Sequence, residues 1–164
     1  MSYLLDANVF IQAKNLHYGL DFCPAFWEWL IDQNEAGLVY TIDKVADEIA
    51  AGSDELSAWM ADQKIGFFRK TDSRIVPHFS QVSTWVMGQS YEPAAVSTFM
   101  QVADYYLVAH ALDGNHTVVT HEISGHSAKR IKIPNVCAGL NLQFMTPYEM
   151  LRKEKARFVL GGGK

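Results

Sequence analysis

Four acidic residues stand where the neighbouring residues direct a carboxylate inward. They are Asp6 in LLDAN, Glu48 in VADEI, Asp104 in ADYYLVAHA and Glu122 in VVTHE. Asp6 and Asn8 interrupt a strand-like apolar run from Tyr3 to Ile11. Glu48 follows Val45 by three residues and precedes Ile49, at the edge of a helix's apolar face. Asp104 precedes Leu107, Val108 and Ala111, which form an apolar stripe above it at helical spacing. Glu122 comes two residues after Thr120, where a strand ends. Singly, each has an ordinary reading: a turn, a surface glutamate beside Asp47, a helix N-cap, a loop glutamate. Gathered together they would repel one another and raise their pKa values unless a cation neutralised them. Oxygen-only ligands that leave positions to water suit Mg²⁺ or Mn²⁺. Two such ions roughly 3.5–4 Å apart can activate water and hold the leaving oxygen of a phosphodiester, which is nuclease chemistry.

The elements that must gather these acids are strands alternating with helices. Residues 3–7 read as a first strand, and its unbroken apolar run predicts burial on both faces, as in a parallel sheet. Further strands are expected at LVYTI, FFRKT, HTVVT and LQFM. Helices are expected at PAFWEWLIDQNEA, at KVADEIAA with Asp43 as its cap, and at DELSAWMADQK with Ser53 as its cap. The region from Asp72 to Asp113 reads as helical, restarted at Pro77 and Pro93. IPNVCAGLN and TPYEMLRKEKARF complete the set, the latter opened by capping-box spacing between Thr146 and Glu149 with Pro147 at its first position. The pattern predicts one α/β domain over residues 1–158 with a mainly parallel sheet, and a disordered tail over 159–164. In such sheets ligands bind beyond the carboxyl ends of strands where the strand order reverses, and Asp6 falls at the end of the first strand.

The chain has 164 residues, 49% of them hydrophobic, enough for one independent core. No stretch approaches the ~20 apolar residues of a membrane helix and no signal-like segment opens the chain, so a cytoplasmic protein without membrane contact is expected. Cys23 and Cys137 form neither a disulfide framework nor a zinc motif. A net charge of −4 conceals a basic C-terminal portion, which holds eight Lys and Arg against two acids from Lys129 onward. Lys129, Arg130 and Lys132 are the candidates for guiding a phosphate backbone.

These motifs, in this order, resemble those of the PIN-domain nucleases, from Tyr3 to about Phe144. The closest likeness is to a PIN-like branch of small prokaryotic proteins of unassigned function, which FWEWL, ADEIAAG and KIPNVC also fit. The resemblance implies a three-layer α/β/α sandwich around a central, mainly parallel sheet. It also implies an acidic cluster that binds Mg²⁺ or Mn²⁺ and hydrolyses single-stranded RNA, often as the toxin half of a toxin–antitoxin pair. By position, Asp6, Glu48 and Asp104 become the metal-site acids and Glu122 the fourth, with Asn8 and Thr120 as polar supports. One departure is the fourth acid, commonly Asp in this family. A glutamate there, preceded by His121, would shift or loosen a second ion.

Other readings fit less well. In HEISGH, His121 and His126 are five apart and would diverge by roughly 140° on a helix, unlike a zinc-protease pair. His17, His78, His110 and His116 show no ligand spacing. A phosphatase with Asp6 as nucleophile wants an acid two residues on, where Asn8 cannot protonate a leaving group. Trp27, Trp29, Trp59 and Trp85 suit core or oligomer contacts better than base stacking, and an exposed aromatic of FWEW would serve a homo-oligomer. The main alternative is a catalytically inactive PIN-like module whose acidic pocket grips an arginine of a basic partner peptide.

Overall fold

The computed structural model describes residues 1–161. Its strands are β1 (Tyr3–Leu5), β2 (Val39–Ile42), β3 (Phe68–Arg69), β4 (Thr117–Val119) and β5 (Phe144–Met145). They form one sheet in the order β3-β2-β1-β4-β5, and every neighbouring pair is parallel. All residues of β1 and β4 are buried. Because alternate side chains point to opposite faces, both faces of the sheet are covered.

The helices are α1 (Ala7–Gln12), continued by a π-helical turn at Ala13–His17, α2 (Pro24–Glu35), α3 (Asp43–Ala50) and α4 (Glu55–Ala61). They are followed by α5 (Val76–Met87), α6 (Pro93–Phe99), α7 (Ala103–Gly114), α8 (Ile133–Gly139) and α9 (Pro147–Lys153). Helix α7 packs on β2 and β4, and α5 and α8 pack on α7. No helix among the described residues is long and apolar enough to cross a membrane.

Prolines open α2, α5, α6, α8 and α9, where a missing N–H costs nothing. Thr146 and Glu149 form the expected capping box, but α9 ends at Lys153 rather than Phe158. Two predicted caps differ. Asp54, not Ser53, caps α4, through a capping box with Ser57. Asp43 is the first residue of α3, and its carboxylate accepts from the Thr71 N–H at 2.8 Å and the Thr71 hydroxyl at 2.7 Å, tying the turn after β3 to the helix. Strand β1 ends at Leu5, so Asp6 leads into α1 instead of continuing the strand. Of the expected tail, residues 162–164 lie outside the described residues.

The aromatic residues of FWEWL go inward. Phe26 and Trp27 are fully buried and Trp29 is half-buried against the core, so none of them supplies the exposed contact expected for an oligomer. Trp27 packs edge-on to Phe26 at 5.3 Å and to Trp59 at 4.9 Å, and its indole N–H donates to the Tyr18 carbonyl at 2.7 Å. These contacts satisfy both the apolar body and the polar handle of the ring.

Helices α5 and α8 meet closely because Gly139 lacks a side chain. A Cβ at that position would fall 2.1 Å from the Trp85 ring. Gly139→Ala is expected to lower unfolding free energy by ~1–3 kcal/mol through overpacking, read as a reduced urea midpoint at unchanged slope. The same substitution should cost clearly less in a Trp85→Ala background.

Candidate active site

The chain runs outward from β1 through β2 to β3, then returns to the other side of β1 as β4 and β5. The strand order therefore reverses between β1 and β4, which opens a crevice at their carboxyl ends. Asp6 follows β1 directly and Thr120 follows β4, and both are buried, Asp6 to 4% exposure. The Thr120 hydroxyl donates to Asp6 Oδ2 at 2.8 Å. It accepts from Asn8 Nδ2 at 3.2 Å and from the Glu122 N–H at 3.1 Å. One donor and two lone pairs are all that a hydroxyl has, so its hydrogen is fixed on Asp6. Asn8 Oδ1 in turn accepts from the His121 N–H at 3.1 Å, stitching the start of α1 to the segment after β4. The polar pair in the apolar N-terminal run is thus aimed at its neighbour strand.

Asp104 is the second residue of α7 and half-buried. Glu48 lies on α3 and is exposed, yet its Oε2 accepts from the Ala103 N–H at 3.0 Å. Glu122 Oε1 accepts from the Ile133 N–H at 2.8 Å. Ala103 and Ile133 are the first residues of α7 and α8, whose own caps, Val102 and Lys132, offer no side-chain acceptor. Each glutamate therefore caps a helix from a distant part of the chain, with one carboxylate oxygen left over.

The acids feel one another. Burial first, and the Asp104 carboxylate second, push Asp6 up to about 8, with the Thr120 hydroxyl pulling it back in part. Burial, then Glu122 and Glu48, push Asp104 up to about 7, opposed by Arg130. Burial and Asp6 also raise the thiol of Cys137, which is buried, whereas Cys23 is half-buried.

A cavity of about 620 Å³ opens beside Asp104 and Glu122 and is walled by Thr98, Phe99 and Val102, with Lys129 and Arg130 on its lining. Lys132 does not line it and instead precedes α8 as its N-cap. Among the described residues no three His, Cys, Asp or Glu side chains come close enough to hold one ion directly. This still fits a hard divalent ion. Mg²⁺ characteristically takes one or two carboxylates and keeps several waters, and the donors here are all oxygens in a buried, negatively biased crevice.

The segment HEISGH is irregular rather than helical, so its two histidines lack the shared helix face that a zinc-protease pair needs. The His121 ring lies 5.5 Å from those of His17 and Tyr148, and the Tyr148 hydroxyl and His17 Nε2 are hydrogen-bonded at 2.7 Å. That cluster, and the cavity wall from α6, had no sequence signal beyond residues of ordinary type.

The parallel five-stranded sheet and its reversal point give this α/β domain a PIN-like fold. Comparison with solved structures agrees. The chain is similar to VapBC2 from Rickettsia felis bound to a promoter DNA fragment, at 15% identity and TM-score 0.57, covering 89% of this chain and 98% of that one. It is likewise similar to FitAB bound to an IR36 DNA fragment, at 16% identity and TM-score 0.56, covering 89% and 95%. Residues 3–158 match a family model described as a domain of unknown function, DUF4411, and the chain belongs to that family. No curated protein matches the sequence.

Two predictions follow from the geometry. Because the folded-state pKa of Asp6 is raised from 3.8 to about 8, the metal-free protein is most stable below about pH 4 as far as this group is concerned, and loses that contribution as pH rises toward 8. Asp6→Asn should flatten the loss in thermal melts taken across that window. Separately, Glu48→Ala and Glu122→Ala should each cost ~1 kcal/mol of stability as lost caps, whereas the Gln variants, which keep an acceptor oxygen, should unfold close to the native midpoint.

Proposed function

We propose that this protein is an endoribonuclease that uses Mg²⁺ or Mn²⁺ to hydrolyse phosphodiester bonds of single-stranded RNA, as the toxin of a toxin–antitoxin pair. The observation that carries the reading is a buried Asp6 at the point where the strand order reverses, lying within the field of the Asp104 and Glu122 carboxylates. A buried carboxylate with a half-buried one in its field is costly by itself and is compatible with a bound cation. A divalent ion there supplies Lewis acidity toward a phosphoryl oxygen and lowers the pKa of water. In this reading Asp6 and Asp104 hold it, and the free oxygens of Glu48 and Glu122 act on it through bound water or contribute to a second position. Thr120 and Asn8 keep the Asp6 carboxylate oriented. Lys129 and Arg130 offer the backbone phosphates a counter-charge beside the acids. The partner is proposed from the family resemblance and from the fold likeness to VapBC2 and FitAB. A basic antitoxin segment would engage the same carboxylates through a guanidinium.

Single-stranded RNA should be cleaved in Mg²⁺ or Mn²⁺ and spared in chelator. Asp6→Asn and Asp104→Asn should abolish cleavage, and Thr120→Ala should lower it by ~10–100-fold. Equal cleavage by the native protein and both Asn variants, purified side by side, would defeat the enzyme reading and leave the binding module.

A further inference from the structure

At the far end of α7 lies a second concave site of opposite charge. Asp113 is nine residues beyond Asp104, roughly 14 Å along the helix axis. There a cavity of about 370 Å³ is lined by Arg69, Lys70, Arg74, His110, His116 and Ser2, together with Asp113. Three permanent cations face one carboxylate, in a chain whose net charge is −4. That carboxylate is turned to His78, with Oδ1 3.5 Å from its Nε2. Arg74 pairs with Asp72 at 3.3 Å, but both side chains are largely exposed and exchange with solvent at little cost.

Arg69 is the informative residue. Its guanidinium lies over the Tyr40 ring, 4.1 Å from the centroid, and it makes no ion pair among the described residues. Its Nε–H is buried without any acceptor among them. A buried, unpaired donor on a charged group costs several times what an exposed one does. That nitrogen is itself shielded by the packing, and the terminal nitrogens of the guanidinium, which pair with nothing among the described residues, are the ones free to meet an anion in the cavity. The two imidazoles of the lining are each engaged by a hydroxyl: His116 Nδ1 is hydrogen-bonded to the Ser2 hydroxyl, and His110 Nε2 to the Thr71 hydroxyl at 2.9 Å. Burial holds both imidazoles below their ordinary pKa.

We propose that this cavity is an anion site for a phosphomonoester group, with Arg69 as its principal donor and Lys70, Arg74 and the Ser2–His116 pair completing the shell. The fork of a guanidinium suits two oxygens of a tetrahedral oxyanion, and the excess of cations suits a dianion better than a single carboxylate. The group can come from free phosphate or from the 5′ end of an oligoribonucleotide. The site stands apart from the acidic crevice and does not depend on the nuclease reading.

The test is calorimetric titration of the full chain, without divalent metal, with inorganic phosphate, with a short 5′-phosphorylated oligoribonucleotide and with its 5′-hydroxyl form. Saturable phosphate binding is expected, weakened by about tenfold or more in Arg69→Met and unchanged in Lys153→Ala, an exposed cation on α9 outside both cavities. Tighter binding of the phosphorylated oligonucleotide than of phosphate, with little binding of the hydroxyl form, would assign the RNA end; equal binding of both phosphates would assign the free anion. No saturable binding at millimolar phosphate, or undiminished affinity in Arg69→Met, would overturn the proposal and leave the three cations as partners of the negative end of α7. Should Arg69→Met fail to fold, the exposed pair Lys70→Gln with Arg74→Gln carries the same comparison, and native affinity in that double variant would equally overturn it.

Discussion

The arrangement turns on one unfavourable interaction, the burial of Asp6 within the field of Asp104. Neither acid has a cationic side chain of its own in hydrogen-bonded contact, and both are held far above the ordinary carboxylate range, Asp6 by desolvation and the Asp104 charge, Asp104 by desolvation and the Glu122 and Glu48 charges. A domain whose whole stability is only ~5–15 kcal/mol cannot ignore two such groups. They persist because the sheet leaves them no other place. Asp6 is the first residue after β1, and Asp104 sits in the first turn of the helix that packs on β2 and β4. Moving either carboxylate away would require moving a central element of the core.

Part of the cost is met by backbone dipoles. In a parallel sheet every strand ends where a helix begins, so the edge that collects the acids also collects helix N-termini, with their unsatisfied N–H groups and partial positive charge. Asp6 precedes α1, Asp104 lies in the first turn of α7, and Glu48 and Glu122 accept from the first amides of α7 and α8. Capping and charge placement are here one device. The glutamates remove orphan donors that Val102 and Lys132 cannot satisfy, and the helix ends soften the repulsion among the carboxylates. The same helix, α7, then presents its negative end to the cavity that holds Arg69, Lys70 and Arg74. The molecule's two charged concavities are thus ordered along one dipole, acids at the positive end and cations at the negative end.

Much of this was legible in the residues. The continuous apolar run at β1 announced a sheet buried on both faces, and the prolines and the Thr146–Glu149 spacing marked helix starts. Asp6 and Asp104 were visible because each sits against an apolar pattern that must point inward. What stayed hidden depends on contacts between distant segments. Glu48 was expected at the edge of a buried face, but it is exposed and is held by a backbone amide 55 residues away. Lys132 shares its charge and neighbourhood with Lys129 and Arg130, yet helix α8 begins one residue later and takes it out of the cavity. The FWEWL aromatics were ambiguous for a similar reason: three rings cannot share one helix face, but a core that wraps around α2 can accept two of them fully and the third in part.

The glutamate at position 122 shows how such long-range geometry changes the meaning of a residue. Read along the chain it departs from the shorter acid that the PIN resemblance leads one to expect, and its extra methylene reads only as loosening a ligand. In the fold that methylene has a use. The backbone of Glu122 is pinned at its N–H by Thr120, and its side chain spans the loop to reach the Ile133 amide at 2.8 Å. An aspartate fixed at the same N–H would have one carbon less with which to make that reach. The longer acid therefore anchors the basic loop carrying Lys129 and Arg130 at both ends: its own backbone holds the start, and its carboxylate holds the helix that follows. The residue that sets the charge of the crevice also sets the position of the cations beside it, and this coupling is visible only once β4 and α8 are seen side by side.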